Sequence, residues 1–119
     1  MPNYNGTFNL NPAIVYTCDF LGIPVLDVNS AVFVFSLAGN VLSVTGIPGC
    51  VMTQTPGPGD ANFSVTCILA GGCNETYALA GSFSDNNHWC GVMTMGFNGP
   101  QCGLTTCTNQ AIPVCGTRQ

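Results

Sequence analysis

Charge is what this 119-residue chain has least of: one Arg, no Lys, one His and five acids, so that 5 % of residues are charged and the net charge is −4. A typical soluble domain carries about 25 %. With Arg118 as the only permanent cation, nothing can neutralise a run of phosphates, which excludes nucleic acid as a partner. Adhesion to anionic lipid fails for the same reason. Long apolar runs are missing as well. No stretch approaches the ~20 residues of a spanning helix, so no membrane insertion is expected. Helical periodicity is absent, and 15 Gly and 8 Pro interrupt every long stretch. There is no C-x-x-C, which removes thioredoxin-like redox chemistry and the close ligand pairs of structural zinc. No metal and no cofactor are expected.

What is present is period-two alternation. Tyr4, Gly6, Phe8 and Leu10 share one phase, and Asn11-Pro12 is expected to end that strand. Ile14, Tyr16, Cys18 and Phe20 form the next, stopped at Gly22-Ile23-Pro24. Residues 31–37 and 41–47 flank Gly39-Asn40, a two-residue hairpin loop of the II′ kind. That loop sets Leu37 opposite Leu42, Phe35 opposite Val44 and Phe33 over Gly46. Further along, Phe63, Val65, Cys67 and Leu69 alternate, turn at Gly71-Gly72 and return as Tyr77, Leu79, Gly81 and Phe83. Trp89, Gly91, Met93, Met95 and Phe97 continue the phase, and Ile112, Val114 and Gly116 end it. The expectation is one all-β domain spanning residues 1–119. It has six to eight antiparallel strands in a meander, folded into a small barrel or a sandwich.

Eight cysteines in so short a chain form a disulfide framework, and such bonds persist in oxidising surroundings, so the expected location is secreted, extracellular or at a cell surface. Spacing alone leaves about 105 pairings open. Strand phase favours four of them. Cys102 and Cys107 close a Gly-containing loop, Cys90 and Cys115 share a phase on neighbouring strands, and Cys67 and Cys73 flank the Gly71-Gly72 turn. Cys18 is left with Cys50. Each bond contributes about 2–4 kcal/mol.

Two short motifs carry a family resemblance. Gly6-Thr7-Phe8 resembles the G-x-W opening of lipocalin-like secreted β-barrels, with Phe where that family has Trp. Arg118, just after the last strand, is similar to the arginine those barrels lay over the aromatic. The resemblance covers these two motifs only, the chain is shorter than a typical lipocalin, and what it implies is a barrel.

Sites for catalysis are scarce. Ser84-Asp85-Asn86-Asn87-His88 holds the three residue types of a hydrolytic triad, but side chains this close on one turn serve the local backbone. Calcium at Asp85, Asn86 and Asn87 lacks any EF-hand spacing. Asp19 and Asp27, flanking the bend at residues 22–24, are the only carboxylates placed to approach each other as a glycosidase pair. Asp60 and Glu75 are expected to be solubilising surface groups. Asn5, Asn62 and Asn74 head glycosylation sequons. No enzyme is expected.

The neutral Thr/Asn/Ser/Gly surface then has two explanations. The favoured one is a structural subunit of a self-assembling extracellular filament, pilus-like fibre or coat, whose partner is a second copy of the chain. Residues 1–12 would supply a strand arm, with Tyr4, Gly6, Phe8 and Leu10 on its inserting face. The alternative is a secreted lipocalin-like barrel holding a small apolar ligand or a glycan near Phe33, Phe35, Tyr77, Trp89 and Met95.

Overall fold

The alternation becomes eight antiparallel strands in a computed structural model that describes residues 1–119: β1 (Gly6–Phe20), β2 (Ile23–Ala38), β3 (Val41–Ile47), β4 (Cys50–Gln54), β5 (Asn62–Leu69), β6 (Asn74–Asp85), β7 (His88–Asn98) and β8 (Gln110–Arg118). Each strand pairs with the next, and β8 returns to β1 through Phe8↔Arg118 to Asn11↔Cys115, closing a barrel. The hairpin at Gly39-Asn40 has the expected register, Phe35↔Val44 and Leu37↔Leu42. Gly39 takes φ 60°, as the first central position of a II′ turn demands.

Inward-facing side chains stack in rows around the wall. Across β6, β7 and β8 the register aligns Phe83, Trp89 and Gly116; then Gly81, Gly91 and Val114; then Leu79, Met93 and Ile112; then Tyr77, Met95 and Gln110. At one end the rows are aromatic. Tyr4, Phe8, Phe35, Phe63, Phe83 and Trp89 pack mostly edge to face, with centroids 5.0 Å apart for Tyr4–Phe83 and 5.0 Å for Phe8–Phe35. Each such fully buried side chain contributes roughly 1.5–3 kcal/mol of transfer free energy. Gly116 is required here, because a Cβ at that position would overlap the Trp89 indole. The indole N–H of Trp89 is buried with no hydrogen-bond partner, so packing alone holds the ring.

Arg118 seals this end. Its guanidinium lies 4.7 Å from the Phe8 ring centroid and donates to the carbonyls of Asn86 (2.9 Å), Asn5 (2.7 Å) and Asn3 (2.5 Å). The N-terminal segment is therefore no detachable arm. Gly6 and Phe8 pair with Phe35 and Phe33, Tyr4 and Phe8 are buried, and the segment closes its own barrel. Nor does Pro12 end the strand. β1 runs on to Phe20, and the ladder skips from Asn9↔Val32 to Ile14↔Ser30, a bulge in which a residue without an N–H donates nothing.

Beyond that bulge β1 and β2 continue as a long hairpin whose ladder pairs are with each other, in a molecule 46 Å along its longest axis. β2 pairs with β3 only from Val34 onward, so residues 23–30 have one free edge. That edge carries Pro24, a register shift at Val25 and the charged Asp27, three devices that discourage pairing with another strand.

Three expected disulfides do not form. The observed bonds are Cys18–Cys107, Cys50–Cys67, Cys73–Cys102 and Cys90–Cys115, with Cα–Cα distances of 5.0, 6.0, 4.8 and 4.0 Å. Only the Cys90–Cys115 pair follows the sequence expectation, because both residues occupy directly opposed ladder positions. Cys102 and Cys107 instead reach outward from their loop to different elements. Cys50–Cys67 bridges β4 and β5, the thinnest seam, where Thr53↔Thr66 is the one ladder pair and the Ser64 N–H donates to Gln54 Oε1 at 2.8 Å. Four disulfides are compatible with an extracellular protein, and no helix is long and apolar enough to cross a membrane.

Candidate functional site at the barrel mouth

The end opposite the aromatic plug is built differently. The last inward row aligns Leu69, Glu75 and Phe97, so the alternation that points Tyr77 and Leu79 inward also points a carboxylate inward. Past this row the wall opens into a hollow of about 180 Å³. Phe20, Val25 and Leu26 from the β1–β2 tip form one side, Phe97 and Glu75 the floor, and Gln101 and Thr105 the other side. Two disulfides, Cys18–Cys107 and Cys73–Cys102, pin the rim, and Cys107 and Cys73 line the hollow itself.

Backbone contacts fix the hairpin against the 98–109 loop. Phe20 bridges to Thr105, the Thr106 N–H donates to the Asp19 carbonyl at 2.8 Å, and the Asp19 N–H donates to Thr106 Oγ1 at 2.8 Å. Tyr16 accepts at its hydroxyl from the Thr108 N–H at 2.8 Å, and its ring lies 6.0 Å from that of Phe97. Glu75 is held from below, where the Tyr77 hydroxyl donates to its Oε1 at 3.1 Å. Burial, and next the Glu75 charge, push the Tyr77 hydroxyl far above its ordinary value, so it stays a donor.

Charge is unevenly shared between the ends. Glu75, Asp19 and Asp27 belong to the mouth and its hairpin. Arg118, the one permanent cation, lies at the plugged end, where it contacts Asn86 and Asn3 beside the His88–Asp85 pair. The mouth is thus apolar with an acidic floor and no cation of its own.

The remaining sequence candidates fall elsewhere. Phe33, Phe35, Tyr77, Trp89 and Met95 are at most 1 % exposed and line neither hollow. An eight-stranded barrel is just wide enough for its own side chains to fill, so the expected interior ligand cavity is occupied by core. His88 Nδ1 lies 2.9 Å from Asp85 Oδ1, but Ser84 Oγ donates to the His88 carbonyl at 3.4 Å rather than to its ring, so no triad assembles. Asp85 accepts the Asn87 N–H at 2.7 Å, and that bond, followed by the His88 side chain, holds its carboxyl below the ordinary range. Asn86 Oδ1 accepts the Asn3 N–H, so this turn is a capped turn joined to the N-terminus. Asp27 opposes Thr17 and Asp19 opposes Pro24, so those carboxylates do not face one another across the ladder. No three metal-ligating side chains converge. Of the sequon asparagines, Asn62 is exposed, Asn5 Oδ1 accepts the Leu37 N–H at 2.8 Å, and Asn74 Oδ1 accepts the Gly71 N–H at 2.9 Å.

No family model, curated protein or solved structure matches the chain.

Sequence reasoning missed the mouth. Glu75, expected as a surface acid, stands two residues before Tyr77 in the apolar phase, and that phase is the signal that places it inward. Phe20, Leu26, Gln101 and Thr105 carry no signal, because only the disulfide-pinned hairpin brings them together.

Proposed function

We propose that the chain is a secreted, non-catalytic binding domain that takes a small molecule at its barrel mouth. One observation carries this. The mouth hollow is the more enclosed and more apolar of the two depressions in the molecule, and its rim is held by two disulfides rather than by further packing. A cavity of about 150 Å³ lined by apolar side chains accepts benzene, so a hollow of this size suits one ring or a branched alkyl group. The free hairpin edge carries strand-blocking features, which supports an isolated barrel over one joined through its strands. The test is amide chemical-shift mapping with a panel of small aromatic fragments. Shifts are expected at Phe97, Gln101 and Thr105 and are lost in Leu26→Trp, which fills the hollow. A panel that leaves those amides still, or shifts that survive the filling, defeats the proposal.

Self-assembly is supported by a different feature. The outward faces of β3 to β8 carry no charge between the barrel ends, and the hairpin exposes Val15, Leu21 and Ile23 (62, 71 and 63 %). Contacts between copies through these faces would contain almost no ion pairs, so polymers should persist at about 1 M salt, where the screening length is about 3 Å. Light scattering that shows a monomer at all salt concentrations removes this second role.

A further inference from the structure

Resting on the mouth as the ligand site, we infer that its ligand is a small organic cation, an ammonium group on a ring-sized apolar body. The reason lies in where Glu75 points. This chain has six charged Arg, Asp and Glu side chains, and an inward-facing carboxylate beside Phe97 is the least expected place for one of them. Glu75 has no basic partner. Its one protein hydrogen bond comes from the Tyr77 hydroxyl, which satisfies part of Oε1 and leaves the remaining lone pairs aimed at the hollow and solvent. A carboxylate taken partly out of water is stabilised by a cation brought to it, and a charge-assisted hydrogen bond is roughly twice as strong as a neutral one. The chain supplies no such cation, since Arg118 is bound at the opposite end by three backbone carbonyls.

The walls complete the match. Phe20 and Phe97 offer aromatic faces on which an ammonium group is attracted, and Val25 and Leu26 take the apolar body. Asp19 and Asp27 on the same hairpin add to a negative field at the mouth, which raises the local concentration of cations and repels anions. A carboxylate or phosphate ligand would meet that field with no counter-charge, and a neutral hydroxyl would give Glu75 a hydrogen bond without compensating its charge.

The experiment compares three ligands of one size on the full chain: phenethylammonium, phenethyl alcohol and phenylacetate. Each is titrated at neutral pH by calorimetry, with amide shifts at Phe97 and Thr105 locating the site. Phenethylammonium is expected to bind on the order of tenfold more tightly than the alcohol, with phenylacetate weakest. Glu75→Gln keeps an acceptor for the Tyr77 hydroxyl, and it should abolish the ammonium preference, bringing phenethylammonium down to the level of the alcohol. Val25→Lys, at a half-exposed position that tolerates a long side chain, tethers an ammonium group beside Glu75 and should likewise cancel the preference for phenethylammonium. Equal binding of ammonium and alcohol at the mouth, or a preference that survives Glu75→Gln, overturns the ligand class and leaves the site standing. If no ligand shifts the mouth amides, the site falls, and the class with it.

Discussion

The two ends of this barrel solve the same problem by opposite means. At the plugged end six aromatic side chains fill the lumen, and Arg118 ties the N-terminus across it. At the mouth the side chains stop short of filling the space. Order there comes from covalent bonds, with Cys18–Cys107 and Cys73–Cys102 on the rim and Cys50–Cys67 on the neighbouring wall seam. A domain near 120 residues buries only about two-thirds of its extended surface, which leaves little core to spread over both ends. Disulfides let one end stay open without fraying, because they restrict the unfolded chain instead of adding contacts to the folded one.

Breaking each end in turn should separate these mechanisms. Trp89→Ala empties the centre of the plug and should cost about 3–5 kcal/mol by denaturant unfolding, with the near-UV aromatic signal collapsing and fragment binding at the mouth retained. Replacing Cys18 and Cys107 together by Ala opens a link spanning 89 residues of sequence and should cost about 3–4 kcal/mol. Here the pattern inverts: the near-UV signal survives and fragment shifts at Phe97 and Thr105 disappear. If both variants lose both signals, the ends are one cooperative unit and the comparison is wrong.

A finer probe is Gly116→Ala, which adds a methyl where the Trp89 indole lies and should cost about 1–3 kcal/mol through overpacking. A neutral result would mean the indole has room to move. The smallest effect concerns pH. Burial first, and the nearby Asp60 charge second, push the Tyr4 hydroxyl from 10.0 up to about 12. A raised pKa favours the protonated form in the fold, so its contribution is intact below pH 10 and is lost as pH climbs through 12. Stability should fall over that window, and Tyr4→Phe should flatten the fall. Tyr4→Phe also forfeits the hydroxyl's bond to the Asp60 carbonyl at 2.8 Å, so its stability at neutral pH should start lower.

How much of this was legible from residues varies with the range of the interaction. The Gly39-Asn40 hairpin was readable to the exact pair because its turn and its facing side chains lie within 17 residues of one another. Pro12 misled, since proline removes one donor and a strand able to bulge needs only to leave that position unpaired. The cysteines divided on the same line. Cys90 and Cys115 sit in two strands whose phases could be matched, whereas Cys102 and Cys107 looked adjacent only along the chain. Phase also marks Glu75 as inward, against the general preference of carboxylates for water.

Alternation, neutral composition and an even count of cysteines by themselves determined a stapled antiparallel β fold, because side-chain direction in a strand repeats every two residues whatever lies far away. How the six cysteines other than Cys90 and Cys115 pair, which strand completes the ring and which end stays open were decided by the tertiary structure alone. Those outcomes depend on how eight registers accumulate around a closed wall, where a shift of a few residues at the Pro12 bulge displaces a whole hairpin and brings Phe20 against Thr105.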